Sequence, residues 1–506
     1  MVDREEGATA PTTSERSAGD EPAPRRVTAT ARPRQPDGPR RMLERAVRLQ
    51  GGGRAEDALA LYRAVLDADP YVPAAWINMG VLLRRMSHAA PAVACLKRGV
   101  ALKPHDGSAW SNLGNALRAC GRYEESVRAH GRAIELTPGS AQLHYNMGLA
   151  QRDLGYLGEA LSAFRRAELL GYDKPELTWD RALTQLLQGD FDEGFRNYES
   201  RWRLSEAGRK VTSAPTFDGR TVPERGSILI WTEQGFGDTL QFARYLPILK
   251  ARGFDSLIFE VQGPLARLFQ KTRDFEGITV VARGAPRPEP AAQAPLLSLP
   301  HILRTRLDAV PAGLPYIHRP AGIERPALPR GVVNVGLCWA GKPTHRNDRN
   351  RSAGAAGFIA LLDLPGAAFH SLQKGPGARQ IADEGLRALV TDLGGGLKDF
   401  AETAAAIDAL DMVITVDTSI AHLAGAMGKT VWVLLPYAPD WRWMLHRDDS
   451  PWYPSMTLFR QSSPGDWEEV FARVRGALAR RIAETLRGGG DSEEDPEESD
   501  DDGPDE

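Results

Sequence analysis

Cysteine is scarce: Cys95, Cys120 and Cys338 are the three in 506 residues, and no two form a CxxC pair. That excludes a disulfide-stapled scaffold and a cysteine metal cluster, and it fits a reducing compartment. Long apolar runs are missing too, so no transmembrane helix is expected. The start, Met1-Val2-Asp3-Arg4-Glu5-Glu6, has no apolar h-region, so no signal peptide is expected and a cytoplasmic location is the expectation. There is no Walker lysine loop, no GxSxG and no HExxH, nor a DxD after a strand of the second half. Asp67-Ala68-Asp69 matches by letters but ends a helix. No metal ligand set and no cofactor are therefore expected. Strong positive charge is also lacking. The net charge is −3, and residues 491–506 carry eleven Asp or Glu and no Lys or Arg, so the rest holds +8. That suits anionic small ligands and is too dilute to imply nucleic acid.

What is present is ordinary globular composition, 42% hydrophobic and 25% charged, at a length of roughly two to four domains. Residues 1–38 are rich in Pro, Ala, Arg, Ser and Thr without hydrophobic period, and 487–506 are acidic; both ends are expected to be disordered. Between them the first half repeats every 34 residues. Pro70, Pro104 and Pro138 form one column; Gly80, Gly114, Gly148 and Ala182 form a second. Tyr62, Leu96, His130, Phe164 and Tyr198 form a large-residue column, and Ala58, Ala92, Ser126, Ala160 and Gly194 a small one. Trp76 and Trp110 share a further place and are expected in the core. This pattern resembles the tetratricopeptide repeat, with five units over 39–208. Each unit is a pair of amphipathic helices that must stack to bury its apolar faces, giving an α-solenoid with a concave side. Asn78, Asn112 and Asn146 recur at the same period, with Asp180 next. In the resembled repeats this place faces the groove, where amides can hold a peptide backbone; the other reading is a bond between repeats that fixes stacking. The fifth unit lacks the proline and is expected to cap the solenoid, with a linker over 209–225.

The second half alternates strands and helices, which implies parallel sheets. Strands are expected at Ser227–Trp231, Ser256–Val261 and Ile278–Ala282. The Pro-rich stretch 284–330 reads as irregular apart from an apolar run at 294–303. A second series follows at Val332–Trp339, Ala368–Leu372, Ala388–Asp392, Met412–Val416 and Thr430–Leu435, then a helix at Trp467–Leu486. Two Rossmann-like halves, 226–330 and 331–486, would face a cleft with ligands beyond the carboxyl ends of the strands.

Three loops fall there. In Thr232–Thr239, Gly235 and Gly237 let a turn pass close to a ligand, and Asp238 sits near the start of a helix, where it equally suits a cap. In Trp339–Ser352, after Gly341, four cations and a histidine crowd together, and Arg351 or its neighbours suit phosphate oxygens unless the loop is merely solvated. In Thr415–His422, the helix start at Thr418 and Ser419 favours an anion, Asp417 suits a sugar hydroxyl, and His422 a phosphate. The duller readings are Asp417 as cap and His422 as packing. Gln373 and Lys374 sit at another strand end.

These loops resemble glycosyltransferase family 9, the heptosyltransferase-like enzymes of GT-B fold, over about 226–486. The resemblance rests on Gly235-Phe236-Gly237-Asp238 and on Val416–His422. The whole chain is similar to bacterial tetratricopeptide proteins fused to such a domain, through Glu233–Pro247, Trp339–Ser352, Ser371–Gly375 and Asp440–Pro454. The resemblance implies metal-independent transfer of a sugar from a nucleotide-diphosphate donor to a protein or glycan acceptor recruited by the repeats. Asp238 would be the base on the acceptor. Arg351, Asp417, Thr418, Ser419, His422 and Lys374 would hold the donor. The short first half and Asp440-Trp441-Arg442-Trp443 depart from heptosyltransferases; the tryptophans either stack on a sugar or cover the core. The rival reading is a scaffold whose transferase half only binds, and a nucleotide-sensing regulator is a third.

Overall fold

The computed structural model describes residues 38–204, 211–221, 226–345 and 347–488. The two ends expected to be disordered fall outside these, except that the last helix continues to Gly488. Among the described residues no helix is long and apolar enough to cross a membrane. The chain divides after Asp69 into two compact units. The first holds one helix pair, α1 (Pro39–Gly51) and α2 (Ala55–Ala68), in which Tyr62 donates to Gln50 Oε1 at 2.6 Å.

In the second unit four more pairs follow: α3 (Pro73–Arg85) with α4 (Ala89–Leu102), α5 (Gly107–Ala119) with α6 (Tyr123–Leu136), α7 (Ala141–Asp153) with α8 (Leu157–Leu169), and α9 (Pro175–Gln188) with α10 (Phe191–Tyr198). The columns are packing rules. A Cβ on Gly80 would lie 2.6 Å from Leu96, on Gly114 2.6 Å from the His130 ring, and on Gly148 2.5 Å from Phe164. Each small residue of a first helix thus makes room for the large residue of the second. Trp76 is buried and Trp110 half-buried; their indole N–H groups donate to the carbonyls of Pro70 and Pro104 at 2.8 and 2.9 Å, tying each helix to the turn before it. After each first helix one residue is left-handed: Ser87, Gly121, Gly155 and Gly189, with φ of 67°, 74°, 90° and 94°.

The fifth pair is not a free cap. Phe191 stacks on Trp452 at 5.7 Å, and Phe195 and Tyr198 pack on Trp441 at 5.7 and 6.2 Å, so the solenoid ends in the α/β core. Just beyond, buried Arg201 forms two bonds to Glu233, at 2.8 and 3.0 Å. Nor is the described part of the linker loose. Phe217 is buried against Phe254, and Gln293 donates to the carbonyls of Thr212 and Ala214.

Two all-parallel sheets follow. The first is β1 (Ile228–Trp231), β2 (Leu257–Val261), β3 (Thr279–Ala282) and β4 (Ala292–Pro295), in the order β3-β2-β1-β4. The second is β5 (Val333–Cys338), β6 (Ala367–Ser371), β7 (Val390–Asp392), β8 (Met412–Val416), β9 (Thr430–Leu435) and β10 (Met456–Arg460), in the order β10-β9-β8-β5-β6-β7. β1, β2, β5, β8 and nearly all of β9 are buried, which is why they read as mostly apolar runs, interrupted by buried Glu260 in β2 and Asn334 in β5. β4 and β10 were not expected. Both are edge strands, and β4 (Ala-Gln-Ala-Pro) carries neither an apolar run nor β-branched residues. In the second sheet the chain moves outward from β5 on one side, then returns to β8 on the other. Cys338 pairs with Thr415, so the loops after β5 and β8 diverge from one level. In open α/β sheets such a reversal opens a crevice.

Two predictions arise here. His130 is fully buried, neither ring nitrogen has a partner among the described residues, and burial first, then Arg118, lowers its pKa to about 3. Between about pH 6.5 and 3 the unfolded chain binds a proton that the folded chain refuses, so stability falls as pH falls, by up to about 1.4 kcal/mol per pH unit. His130→Phe, the residue type of Phe164 in this column, should flatten that acid limb in denaturation curves taken from pH 7 to 4; an unchanged slope would refute the assignment. Ser87→Gly should raise the solenoid's unfolding midpoint by relieving about 1 kcal/mol of left-handed strain, and a lowered midpoint would contradict it.

Candidate functional site

The carboxyl ends of β1, β5, β6, β8 and β9 open on one cleft of about 1920 Å³, walled on another side by α3, α5, α7 and α9. The three motif loops meet in it.

From the first sheet comes Asp238, in the first turn of the Phe236–Phe242 helix. Its Oδ2 accepts the Gly235 N–H at 2.8 Å, so it does cap that helix. Its Oδ1 accepts from Arg442 Nη2 at 2.5 Å, and its side chain remains 19% exposed to the cleft. Both glycines line the cleft and differ in their local setting. Gly235 has an ordinary extended conformation, φ −75°. Gly237 is needed for a close approach to protein: a Cβ there would lie 2.8 Å from the ring of His422.

From the second sheet, Gly341 makes room for Arg351, since a Cβ there would collide with its guanidinium and with Asp348. Arg351 pairs with Asp348 at 3.3 Å, and Lys342 and Arg349 of the same loop are exposed. Arg346, the fourth cation, lies outside the described residues. The Ser419–Ala426 helix is capped by Thr418, whose hydroxyl accepts the Ile420 N–H at 3.3 Å. Asp417 is thereby released from capping and lines the cleft with Ser419. Its pKa is pushed up to about 6, by burial first and then by the Asp440 carboxylate, against the pull of Arg351 and Arg442.

Three candidates that line the cleft also take structural parts. His422 is buried, bonded through Nδ1 to the Tyr453 hydroxyl at 3.0 Å and stacked on Trp443 at 5.5 Å. Burial, then the charges of Arg442, Arg244 and Arg351, hold it well below the usual imidazole range, so it offers a neutral ring to the cleft wall and no cation. Lys374 donates to the carbonyls of Gly394 and Leu397, at 3.0 and 2.5 Å, and so staples a neighbouring loop. Gln373 is a latch. Its Oε1 accepts the N–H groups of Trp339 and Ala340 at 3.0 and 2.9 Å, and its Nε2 donates to the carbonyls of Ala340 and Lys374, both at 3.0 Å. Trp441 and Trp443 are buried, so they cover the core.

Arg442, between them, is the residue that motif reading passed over. Besides Asp238, it bonds Asp440 at 2.8 Å and Gln241 at 2.6 Å, and it lies over the Trp441 ring at 4.5 Å. Burial opposes its charge; the carboxylates of Asp440 and Asp238 more than offset that. The only hint in the sequence is a cation between two aromatics. Among the described residues no group of three or more His, Cys, Asp or Glu side chains is arranged to hold a metal ion.

The asparagine ladder does not line the cleft. Asn146 is buried, donates to the Ser111 hydroxyl at 3.0 Å and accepts from Gln142 at 3.0 Å, which is the inter-repeat bond. Asn78 and Asn112 are half-buried outside the cleft wall. Another column of the same period faces it: Arg84, Arg118 and Arg152. At another part of the cleft rim, Phe236 meets Phe400 at 5.0 Å, and Arg267 pairs with Asp399 and Glu402, both at 2.7 Å.

Gln373→Leu should leave two largely buried amides without acceptors and lower the unfolding free energy by about 2–4 kcal/mol. Urea denaturation measures this, and a wild-type midpoint would mean that the loop after β5 is held otherwise.

Comparison with known proteins agrees with the first half. Residues 49–117 and 141–170 match the family described as "Tetratricopeptide repeat", and residues 114–155 match "TPR repeat". The chain is similar to Protein FlbA of Caulobacter vibrioides, 30% identical over 339 residues, covering 60% of this chain and 55% of that protein. The match therefore spans about half of the relative's length. Among solved structures, MamA is 22% identical, covering 31% of this chain and 92% of that one, with a TM-score of 0.29. A thermophilic tetratricopeptide protein of Thermus thermophilus is 24% identical, covering 34% and 94%, with a TM-score of 0.30. The first half of this chain thus carries tetratricopeptide repeats, which suggest a protein-binding scaffold, and a parallel-sheet α/β region follows them.

Proposed function

We propose that the α/β region is a glycosyltransferase of the GT-B kind resembled by its motifs, with two Rossmann-like halves, and that the repeats hold its protein or glycan acceptor. The observation that carries this reading is the meeting, in one cleft, of Asp238 from the first sheet with Arg351 and the Asp417–Ser419 turn from the second. A nucleotide-diphosphate sugar would lie on the second sheet. Its phosphates would face Arg351 and the amides at the start of the Ser419–Ala426 helix. Asp417 would accept from a sugar or ribose hydroxyl.

In the transfer, an acceptor hydroxyl attacks the anomeric carbon. The bond from that carbon to the diphosphate oxygen breaks, the proton passes to Asp238, and Arg351 neutralises charge on the departing diphosphate. An ionised carboxylate oxygen has room for a second bond, so Asp238 can accept the acceptor hydroxyl while Arg442 holds it. Arg442 is then the positioning residue. The same ion pair is what favours the second reading, a binding-only domain, because it occupies the base.

The experiment takes the full chain through melting curves with UDP, GDP, ADP, CMP and their sugar conjugates, where a ligand at a hundred times its dissociation constant stabilises by about 2.7 kcal/mol. Using the donor so found, Asp238→Asn should keep donor binding within about twofold and lower turnover by about 10²–10⁴. Equal turnover would remove Asp238 from the reaction. Nucleotide binding without turnover on any acceptor would favour the scaffold.

A further inference from the structure

The arginine column on the solenoid wall is unevenly neutralised. Arg152 is divided between Asp153 and Asp180, at 3.2 and 2.7 Å. Arg118 reaches Asp153 through one nitrogen at 2.7 Å, and its Nε is buried without a partner. Arg84 has no ion pair among the described residues, and its Nε is likewise buried and unpartnered. The charges acting on Arg84 are those of Arg118 and Arg85, and burial together with this repulsion lowers its pKa. The carboxylates of this wall, Asp153, Asp180 and Glu176, all lie toward the Arg152 end, so the unneutralised charge is at the Arg84 end. Across the cleft, Arg349 of the loop after β5 is near enough to act on Cys120, next to α5, and adds a further positive charge.

Half-buried Arg84, without a carboxylate partner among the described residues and repelled by Arg118 and Arg85, carries a charge that an anion bound at its terminal nitrogens would neutralise. We infer that the wall formed by Arg84 and Arg118 binds the carboxylates of an acidic polypeptide segment lying along the solenoid side of the cleft. Two features favour a polypeptide over nucleic acid. Asp153 and Asp180 end the uncompensated stretch beyond Arg118, so a short acidic peptide can confine its charge to Arg84 and Arg118, whereas a nucleic-acid strand carries its charge on into those carboxylates. Ser87 and Asn115 line the same stretch with a hydroxyl and an amide, groups that bond a peptide backbone. Ser87 also holds the left-handed place that the next three repeats give to glycine, so a hydroxyl stands there at a conformational cost. The site stands without the transfer reading; that the bound segment is the acceptor rests on it.

The test is fluorescence anisotropy of labelled hexaglutamate, with hexaserine for comparison, on the full-length protein at about 50 mM salt, where screening is weak. Arg84 has no acid partner to orphan, so Arg84→Gln and Arg84→Glu should melt near wild type. Arg84→Glu should weaken hexaglutamate binding by at least about tenfold, and Arg85→Glu, exposed on the same helix outside the cleft wall, by less than about twofold. No preference for hexaglutamate over hexaserine, or equal losses in the two reversals, would overturn the site. Tighter, Arg84-dependent binding of a single-stranded oligonucleotide of equal charge would overturn the assignment to a polypeptide. Nucleotide-diphosphate binding is measured on the same variants. If it is absent throughout while Arg84 still governs hexaglutamate, the transferase reading fails and this site does not.

Discussion

One buried guanidinium joins the parts of the second unit. Arg442 belongs to the second sheet's loops, bonds Asp238 and Gln241 of the helix after β1 in the first sheet, and lies on Trp441, whose other edges meet the aromatics of the fifth repeat. Removing such a charge from water costs several kcal/mol unless its N–H groups are satisfied. Here the satisfaction comes from different regions of the chain at once. The cation is stable only when these regions are in place, so it specifies their arrangement as much as it strengthens it. Arg244 repeats the principle deeper in. It is boxed by Tyr316, Tyr453 and Trp452 and donates to the carbonyls of Pro311 and Trp452.

The parts legible in the sequence were those governed by repetition or by continuous burial. A period kept in several columns identifies paired helices because every unit must solve one packing problem, Gly114 against His130 being the same solution as Gly148 against Phe164. Central parallel strands are apolar on both faces and show themselves as runs. Of the four edge strands, β3 and β7 were still legible, whereas β4, Ala-Gln-Ala-Pro, carries neither an apolar run nor β-branched residues, and β10 lay in a stretch to which no strand was assigned. The linker escaped because its order comes from Gln293, a residue far along the chain.

At the site, position along the fold could be read but occupation could not. The loops at the strand ends were found from pattern alone. Whether a given polar side chain faces a ligand or serves the backbone depends on partners distant in sequence: Gln373 on the amides after β5, Lys374 on carbonyls some twenty residues on, His422 on Tyr453. The asparagine column shows the same ambiguity within a perfect repeat. A column's period says that its members share an environment, but Asn146 reached a neighbouring helix while the arginines at the same spacing reached the cleft.

The joint at the fifth repeat limits what could replace that repeat. Phe191, Phe195 and Tyr198 are buried by residues of the α/β region, and Trp441 and Trp452 are buried by them in return. Neither surface is suited to water. Farther from the joint the contacts are sparser but do not cease: Tyr123 stacks on Tyr437 at 5.8 Å, and the Tyr437 hydroxyl donates to the Leu154 carbonyl at 3.4 Å. A repeat put in place of the last would have to bring the same apolar surface with it, so the fifth repeat is a structural part of the α/β region as much as of the solenoid.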